Sequence, residues 1–155
     1  MNLLRRKFLK SATFVGAAVT VGTGILVPQR ALGAYAKAAF EAKDVNGALS
    51  AAMGSAQHTA SDAIKLKAPD IAENGAVVPI TVSASMDKVD AISIIASANA
   101  SPLTSTYQLS AACEPFVSTR IKMGKTANVI AVVKADGKLY SATKEVKVTI
   151  GGCGG

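Results

Sequence analysis

Hydrophobic and polar positions follow two different periods along the chain, and the change comes near residue 60. Over residues 34–54, apolar residues recur every three to four positions, which is the spacing of one face of an α-helix. Asp44 is placed to cap a second short helix and Gly54 to end it. The pattern predicts an N-terminal segment over residues 34–60, with two short helices and then a small, polar linker over residues 55–60.

From residue 61 to residue 150 the chain carries short runs rich in β-branched residues, separated by turn residues. Asp136-Gly137, between two alternating runs, is the strongest hairpin signal. Seven strands are predicted, over residues 63–67, 76–85, 91–97, 105–110, 116–123, 128–135 and 138–150. Short strands without helices between them favour a mainly β fold, an immunoglobulin-like antiparallel β-sandwich with short N-terminal helices.

Two of the predicted strands are apolar on both faces. Val129, Ala131 and Val133 point to one side of their strand, while Ile130 and Val132 point to the other. The strand over 76–85 has the same character, with Val77 and Thr81 opposite Val78, Ile80 and Val82. An antiparallel sheet usually leaves one face in water, so a second apolar face needs a cover. The sequence leaves two covers open, the N-terminal helices and a partner subunit.

The first 33 residues have the composition of a targeting segment. Four basic residues between positions 5 and 10 precede an apolar run over residues 12–27, which is too short and too rich in Gly and Thr for a membrane span. Arg5 and Arg6 resemble a twin-arginine signal, which directs folded proteins to export. We expect cleavage after Gly33, and a mature chain in the periplasm without a membrane span.

Charge changes this picture in one respect. The chain has 17 Lys and Arg residues against 10 Asp and Glu, a net charge of +7, which would favour an anionic partner. Five of the basic residues and none of the acidic ones lie in residues 1–33, so 12 basic and 10 acidic residues remain, a net charge of +2. Phosphate backbones require clustered Lys and Arg, so no nucleic-acid partner is expected.

The chain offers few groups for catalysis or metal binding. His58, the one histidine, lies in the polar linker without a second ligand at metal-binding spacing, and we expect it to be a solvated loop residue. No G-x-S-x-G elbow, paired carboxylates or phosphate-binding loop is present. The sequence therefore predicts no catalytic residue and no metal site.

The last predicted strand runs directly into the sequence GGCGG at residues 151–155. Glycine adds no packing and costs the most entropy to order, so four glycines around Cys153 are typical of a flexible arm. Five extended residues reach about 17 Å, far enough for the sulfur to enter another protein's active site. Thiolate is the reactive form of cysteine, and Lys144 and Lys147 are candidates for lowering the pKa of this thiol.

The end of the chain, KVTIGGCGG preceded by DGKLYSATKEV, resembles the SoxY family, the sulfur-carrier subunits of the thiosulfate-oxidising multienzyme system. The resemblance to this family extends to the segments at residues 67–75, 78–80 and 118–123. The resemblance implies that Cys153 is the site of covalent sulfur attachment and that the arm is formed by Gly151, Gly152, Gly154 and Gly155. It implies no cofactor beyond the sulfur adducts on the cysteine.

The same resemblance implies partners. A smaller subunit, SoxZ, would form a heterodimer or higher oligomer with the chain, which would itself catalyse nothing. A haem-containing enzyme would couple thiosulfate to the cysteine sulfur, a hydrolase would release sulfate, and further enzymes would process the remaining sulfane sulfur.

Other interpretations stay open. Gly154-Gly155 fits a ubiquitin-like sulfur carrier with a C-terminal thiocarboxylate, although the export signal and the number of strands disfavour it. A thiol–disulfide exchange protein is disfavoured because no C-x-x-C motif is present. Cys113 departs from the resemblance, and we expect it to be buried near the end of a strand, as free cysteines usually are. If Cys113 is exposed instead, it could form a disulfide with Cys153.

Overall fold

Two short helices precede nine β-strands in the part of the chain that the computed structural model describes, residues 36–149. The helices are α1 (Lys37–Glu41) and α2 (Val45–Met53). The strands are β1 (Thr59–Ala60), β2 (Ile64–Lys67), β3 (Ile71–Ala72), β4 (Val78–Ala84), β5 (Val89–Ala96), β6 (Leu103–Gln108), β7 (Phe116–Ile121), β8 (Ala127–Ala135) and β9 (Lys138–Val148). The predicted signal segment and the predicted GGCGG arm lie outside the described residues.

The strands form two sheets that share one core. The larger sheet has the order β1-β9-β8-β5-β6, with β3 also paired to β9, and the smaller has the order β2-β4-β7. The long neighbours pair antiparallel, whereas β1 and β3 run parallel to β9. The core between the sheets includes Val78, Ile80 and Val82 from β4 and Val129, Ala131 and Val133 from β8. This is the immunoglobulin-like sandwich that the sequence predicts.

All seven predicted strands are present, with ends that differ by a few residues. The turn at Asp136-Gly137 is confirmed: its φ angles are 49° and 74°, and a two-residue hairpin with both residues left-handed matches the twist of the strands. The sequence does not predict β1 or β3. Each has only two residues, too few for an alternating pattern, and β1 lies in the predicted linker.

The N-terminal helices form where they are predicted. The side chain of Asp44 accepts a hydrogen bond of 2.8 Å from the Gly47 backbone N–H, which caps α2. Gly54 ends the helix in the left-handed conformation, with φ of 86°.

These helices cover the second face of the larger sheet. Ala39 of α1 and Leu49 and Met53 of α2 are buried in a second cluster with Val132 and Ile95 of the sheet. The sequence is compatible with either the helices or a partner subunit as the cover. The structure shows that the helices cover this face, so a partner subunit cannot pack on it.

The expectation of two apolar faces is wrong for β4. Burial alternates strictly along this strand, with Val78, Ile80 and Val82 inside. Thr81 is only half-buried, and Val77, just before the strand, is 51% exposed. Along β4, the residues between the buried ones point outward and are mostly polar, so this face of the strand is stable in water without a cover.

Candidate functional site

The described structure contains the base from which the GGCGG segment begins. We call residues Lys147–Thr149 the arm root. Lys147 and Thr149 donate backbone hydrogen bonds to the carbonyls of Asp70 and Ala72, at 3.0 and 3.2 Å. On the other side, the backbone N–H of Val148 donates to Thr126 Oγ1 at 3.0 Å. The arm root is therefore fixed to the sandwich from both sides. Cys153 and the four predicted arm glycines lie outside the described residues.

A turn at Gly75 closes tightly around the arm root. The Met123 backbone N–H donates to the Gly75 carbonyl at 2.7 Å. A β-carbon at position 75 would collide with the Met123 carbonyl oxygen and would lie 2.9 Å from Val148 Cγ1. Only glycine allows this approach of the backbone to its neighbours.

We expect Gly75→Ala to destabilise the protein by about 1 to 3 kcal/mol, the usual cost of forcing an extra carbon into a packed site. The change should also increase amide hydrogen exchange at the arm root, because Val148 and Met123 must move apart. Chemical denaturation and hydrogen exchange would measure the two effects. The matched control is Gly124→Ala, where the nearest atom to an added carbon lies 3.9 Å away. Equal stability of the two variants would contradict the prediction.

The two lysines predicted to act on the thiol have different surroundings. Lys144 Nζ lies 2.9 Å from Asp70 Oδ1 and donates to the Ala68 carbonyl at 2.6 Å, so its charge is already paired. Lys147 is exposed and has no ion-pair partner among residues 36–149. Of the two lysines, Lys147 therefore has the positive charge that is less offset by a carboxylate. Their effect on the pKa of Cys153 stays a prediction.

The expectation that Cys113 is buried is wrong. It is an exposed free thiol in the loop between β6 and β7. Its backbone N–H donates to the Ser110 carbonyl at 2.9 Å, and its Sγ lies 3.3 Å from Ser110 Oγ. This turn directs the side chain to solvent. Two hydrogen bonds from Ser110 lower the pKa of the Cys113 thiol below its usual value. The bond from the Ser110 side chain has the larger effect and the bond from its backbone the smaller.

Cys113 and the arm root lie at opposite ends of the sandwich. The loop that carries Cys113 begins beside β5, where the Leu109 N–H donates to the Asp90 carbonyl, and this is the end at which β9 begins. The eleven residues of β9 span about 33 Å. Residues 149–153 reach about 17 Å at most from the far end of that strand. We therefore expect no Cys113–Cys153 disulfide within one chain.

We expect mild oxidation of the full chain to give only disulfides between chains. Non-reducing mass measurement should show dimers and larger species, and no monomer that has lost two thiol hydrogens. Cys113→Ser should limit the products to dimers, because a single thiol per chain remains. An oxidised monomer with an internal disulfide would contradict the strand pairing of β9.

His58 has a structural contact that the sequence does not indicate. It is exposed, as expected, but its Nδ1 lies 2.9 Å from Ser141 Oγ and so ties the segment before β1 to β9. Ser141 is only 4% exposed and is not accessible as a nucleophile. Within residues 36–149, no group of three or more His, Cys, Asp or Glu side chains is placed to hold a metal ion.

No helix in the described part of the chain is long and apolar enough to cross a membrane.

Comparison with known proteins connects this fold to sulfur oxidation. Residues 49–153 match the family model of SoxY, described as sulfur oxidation protein SoxY, and this range includes Cys153. A solved structure of the sulfur carrier protein SoxY from Chlorobium limicola f thiosulfatophilum is 48% identical, with a TM-score of 0.61; the alignment covers 66% of this chain and 94% of that chain.

A superoxide reductase (neelaredoxin) from Ignicoccus hospitalis is 19% identical over 59% of this chain and 81% of its own, with a TM-score of 0.51. At this identity the likeness shows the fold alone. No curated protein matches the chain.

Proposed function

This chain belongs to the SoxY family and is a sulfur carrier of thiosulfate oxidation, and from this premise we propose that Cys153 is the residue that carries the sulfur. The observation that supports the assignment most directly is the family match, which runs along the sandwich and through residue 153. Cys113, the other cysteine, lies at the far end of the fold from the arm root.

The first step of the proposed chemistry needs a thiolate and a partner that accepts electrons. The Cys153 thiolate joins the outer sulfur of thiosulfate, an S–S bond forms, and two electrons leave to a haem-containing enzyme. Water then attacks the terminal sulfonate group in a hydrolase, which releases sulfate and two protons and leaves a cysteine persulfide. Persulfides and disulfides are reversible cysteine products, so later enzymes can remove the sulfane sulfur and restore the thiol.

The described structure supplies a fixed base for such a carrier. The arm root is hydrogen-bonded on both sides, so the chain leaves the sandwich toward residues 150–155 from a defined point. Tethering holds a reactive intermediate near its enzymes at an effective concentration in the millimolar range, about that of short flexible linkers. In this proposal the chain itself catalyses nothing.

We further propose that the chain works in the periplasm with a SoxZ-like subunit. The basic run with Arg5 and Arg6 supports export by a twin-arginine route, which carries folded proteins and would bring out a partner that lacks its own signal. The other proposed partners are the thiosulfate-coupling enzyme, the sulfate-releasing hydrolase and enzymes that process sulfane sulfur.

Peptide mass mapping after incubation of the full chain with thiosulfate and the other system components tests the assignment. We expect added sulfur on the peptide that contains Cys153 and none on the peptide that contains Cys113. A thiocarboxylate at Gly155 would instead indicate a carrier of the ubiquitin-like type. A disulfide with no added sulfur would indicate thiol–disulfide exchange.

A further inference from the structure

Charged residues are distributed unevenly between the two ends of the sandwich. The end at which β9 stops comprises residues 67–78, 97–103, 120–128 and 144–149, and we call it the arm-root end. Its basic residues are Lys67, Arg120, Lys122, Lys125, Lys144 and Lys147. Its acidic residues are Asp70, Glu73 and Glu145. Basic residues therefore exceed acidic ones by three at this end, although residues 34–155 as a whole carry a net charge of only +2.

Three of these lysines, Lys122, Lys125 and Lys147, lie around the arm root, and we call them the basic rim. Lys122 and Lys125 line one side of an open cavity of about 400 Å³. Lys125 directly precedes Thr126, whose side chain accepts the Val148 N–H, and Lys147 directly precedes Val148. The three ammonium groups are therefore carried by backbone segments that are in direct contact.

The loop that carries the first two lysines is held in place. Asn99 donates through its side-chain amide to the Lys122 carbonyl at 2.7 Å and accepts from the Gly124 N–H at 3.0 Å. The Met123 N–H donates to the Gly75 carbonyl. The backbone of the rim is thus fixed, while its side chains extend into solvent.

The rim lysines form no ion pairs in the described part of the chain, and the nearest carboxylate along the strand is Glu145, two residues before Lys147 on the same face of β9. All three lysines are exposed, and none has an ion-pair partner among residues 36–149. Asp70 is already paired with Lys144. Glu73 and Glu145 are the remaining carboxylates at this end, and neither lies within ion-pair distance of the rim.

We propose that the basic rim attracts small sulfur oxyanions, of the dianionic class to which thiosulfate belongs, to the arm root and speeds their reaction with the Cys153 thiolate. This inference rests on the proposed function. A dianion and a thiolate repel each other in water, and a fixed group of positive charges offsets that repulsion and raises the local anion concentration. The Debye length is about 8 Å at physiological ionic strength, so the effect acts close to the rim and weakens as salt is added.

The test compares two thiol reagents of different charge on the full chain. Dithiobis(nitrobenzoate) is a dianion and dithiodipyridine is uncharged; in each reaction the thiolate forms a mixed disulfide and one aromatic thiolate or thione is released and measured. A Cys113→Ser background leaves Cys153 as the single thiol. The ratio of the two rates reports attraction of the anion, because a change in the thiol pKa or in access to the thiol affects both reagents.

The rim variant is Lys122→Glu, Lys125→Glu and Lys147→Glu. The matched control is Lys43→Glu, Lys65→Glu and Lys138→Glu, three exposed lysines outside the arm-root end with the same change in net charge. At low salt we expect the rim variant to lower the rate ratio about threefold or more and the control to lower it much less. The difference should disappear at high salt.

An unchanged ratio in the rim variant, or an equal fall in the control, would overturn the proposal. The outcome is independent of whether Cys153 carries sulfur, because the reagents need only a thiol. If the ratio falls as expected but peptide mapping finds no sulfur on Cys153, the proposed function fails and the electrostatic effect stands. If sulfur is found and the ratio is unchanged, the proposed function stands and the role of the rim is rejected.

Discussion

Replacing Cys153 with serine should abolish sulfur loading while leaving the fold unchanged. A serine hydroxyl is not ionised near neutral pH and cannot form the S–S bond that holds the intermediate. Residues 151–155 are one cysteine among four glycines and contribute no large apolar side chain, so we expect the fold not to depend on the thiol. Peptide mass mapping after incubation with thiosulfate and the system enzymes would measure loading, and thermal unfolding would measure stability.

The control for this result is Cys113→Ser, which removes the other thiol and should keep full loading. The hydroxyl of Ser110 contacts Cys113 at the surface, so this change should also leave stability unaltered within about 0.5 kcal/mol. Loading that persists in Cys153→Ser and disappears in Cys113→Ser would contradict the assignment. Loss of folding in Cys153→Ser would show that the residue has a structural role.

Truncation of Leu49 to alanine should have the largest effect on stability. Leu49 is fully buried where α2 packs on the larger sheet, beside Val132 and Ile95. Removing a buried leucine side chain usually costs about 2 to 5 kcal/mol, because transfer energy is lost and a cavity remains. A domain is stabilised by only about 5 to 15 kcal/mol, so the loss would be a large part of the total. The midpoint of urea denaturation would measure it.

Ser50→Ala is the matched control, since Ser50 is the next residue of the same helix and is exposed. This change should alter the free energy of unfolding by less than about 0.5 kcal/mol. If Leu49→Ala cost no more than Ser50→Ala, the helices would not be the cover of the sheet, and another component would have to protect Val132.

Local signals explain why most of the sandwich could be predicted from the sequence. The Asp136-Gly137 turn and the Asp44 cap each depend on residues within a few positions of one another. The two short strands β1 and β3 could not be found in this way, because each exists only through pairing with β9, about 80 residues further along the chain. Periodicity also showed that Val132 needed a cover without showing which element supplies it.

The site was predictable in part. Cys153 is proposed as the attachment residue from an unusual composition, one cysteine among four glycines, together with the resemblance that this motif carries, and its role stays a prediction. The prediction that Cys113 is buried was wrong. It relied on the average burial of free cysteines, whereas a turn at Ser110 holds this residue at the surface. The basic rim was not predicted, although the hairpin at Asp136-Gly137 pairs Ala127 with Val146 and so brings Lys125 close to Lys147.

The position of β9 inside its sheet determines how the body responds when a partner grips the end of the chain. This strand has β8 on one side and β1 and β3 on the other, so it is not an edge strand. Tension applied beyond Thr149 acts along the strand, and the bonds to β8 share the load in shear instead of opening one after another. An enzyme that draws the terminal residues into its active site would therefore pull on a strand that is paired on both sides, and its backbone hydrogen bonds to β8 would resist the force together.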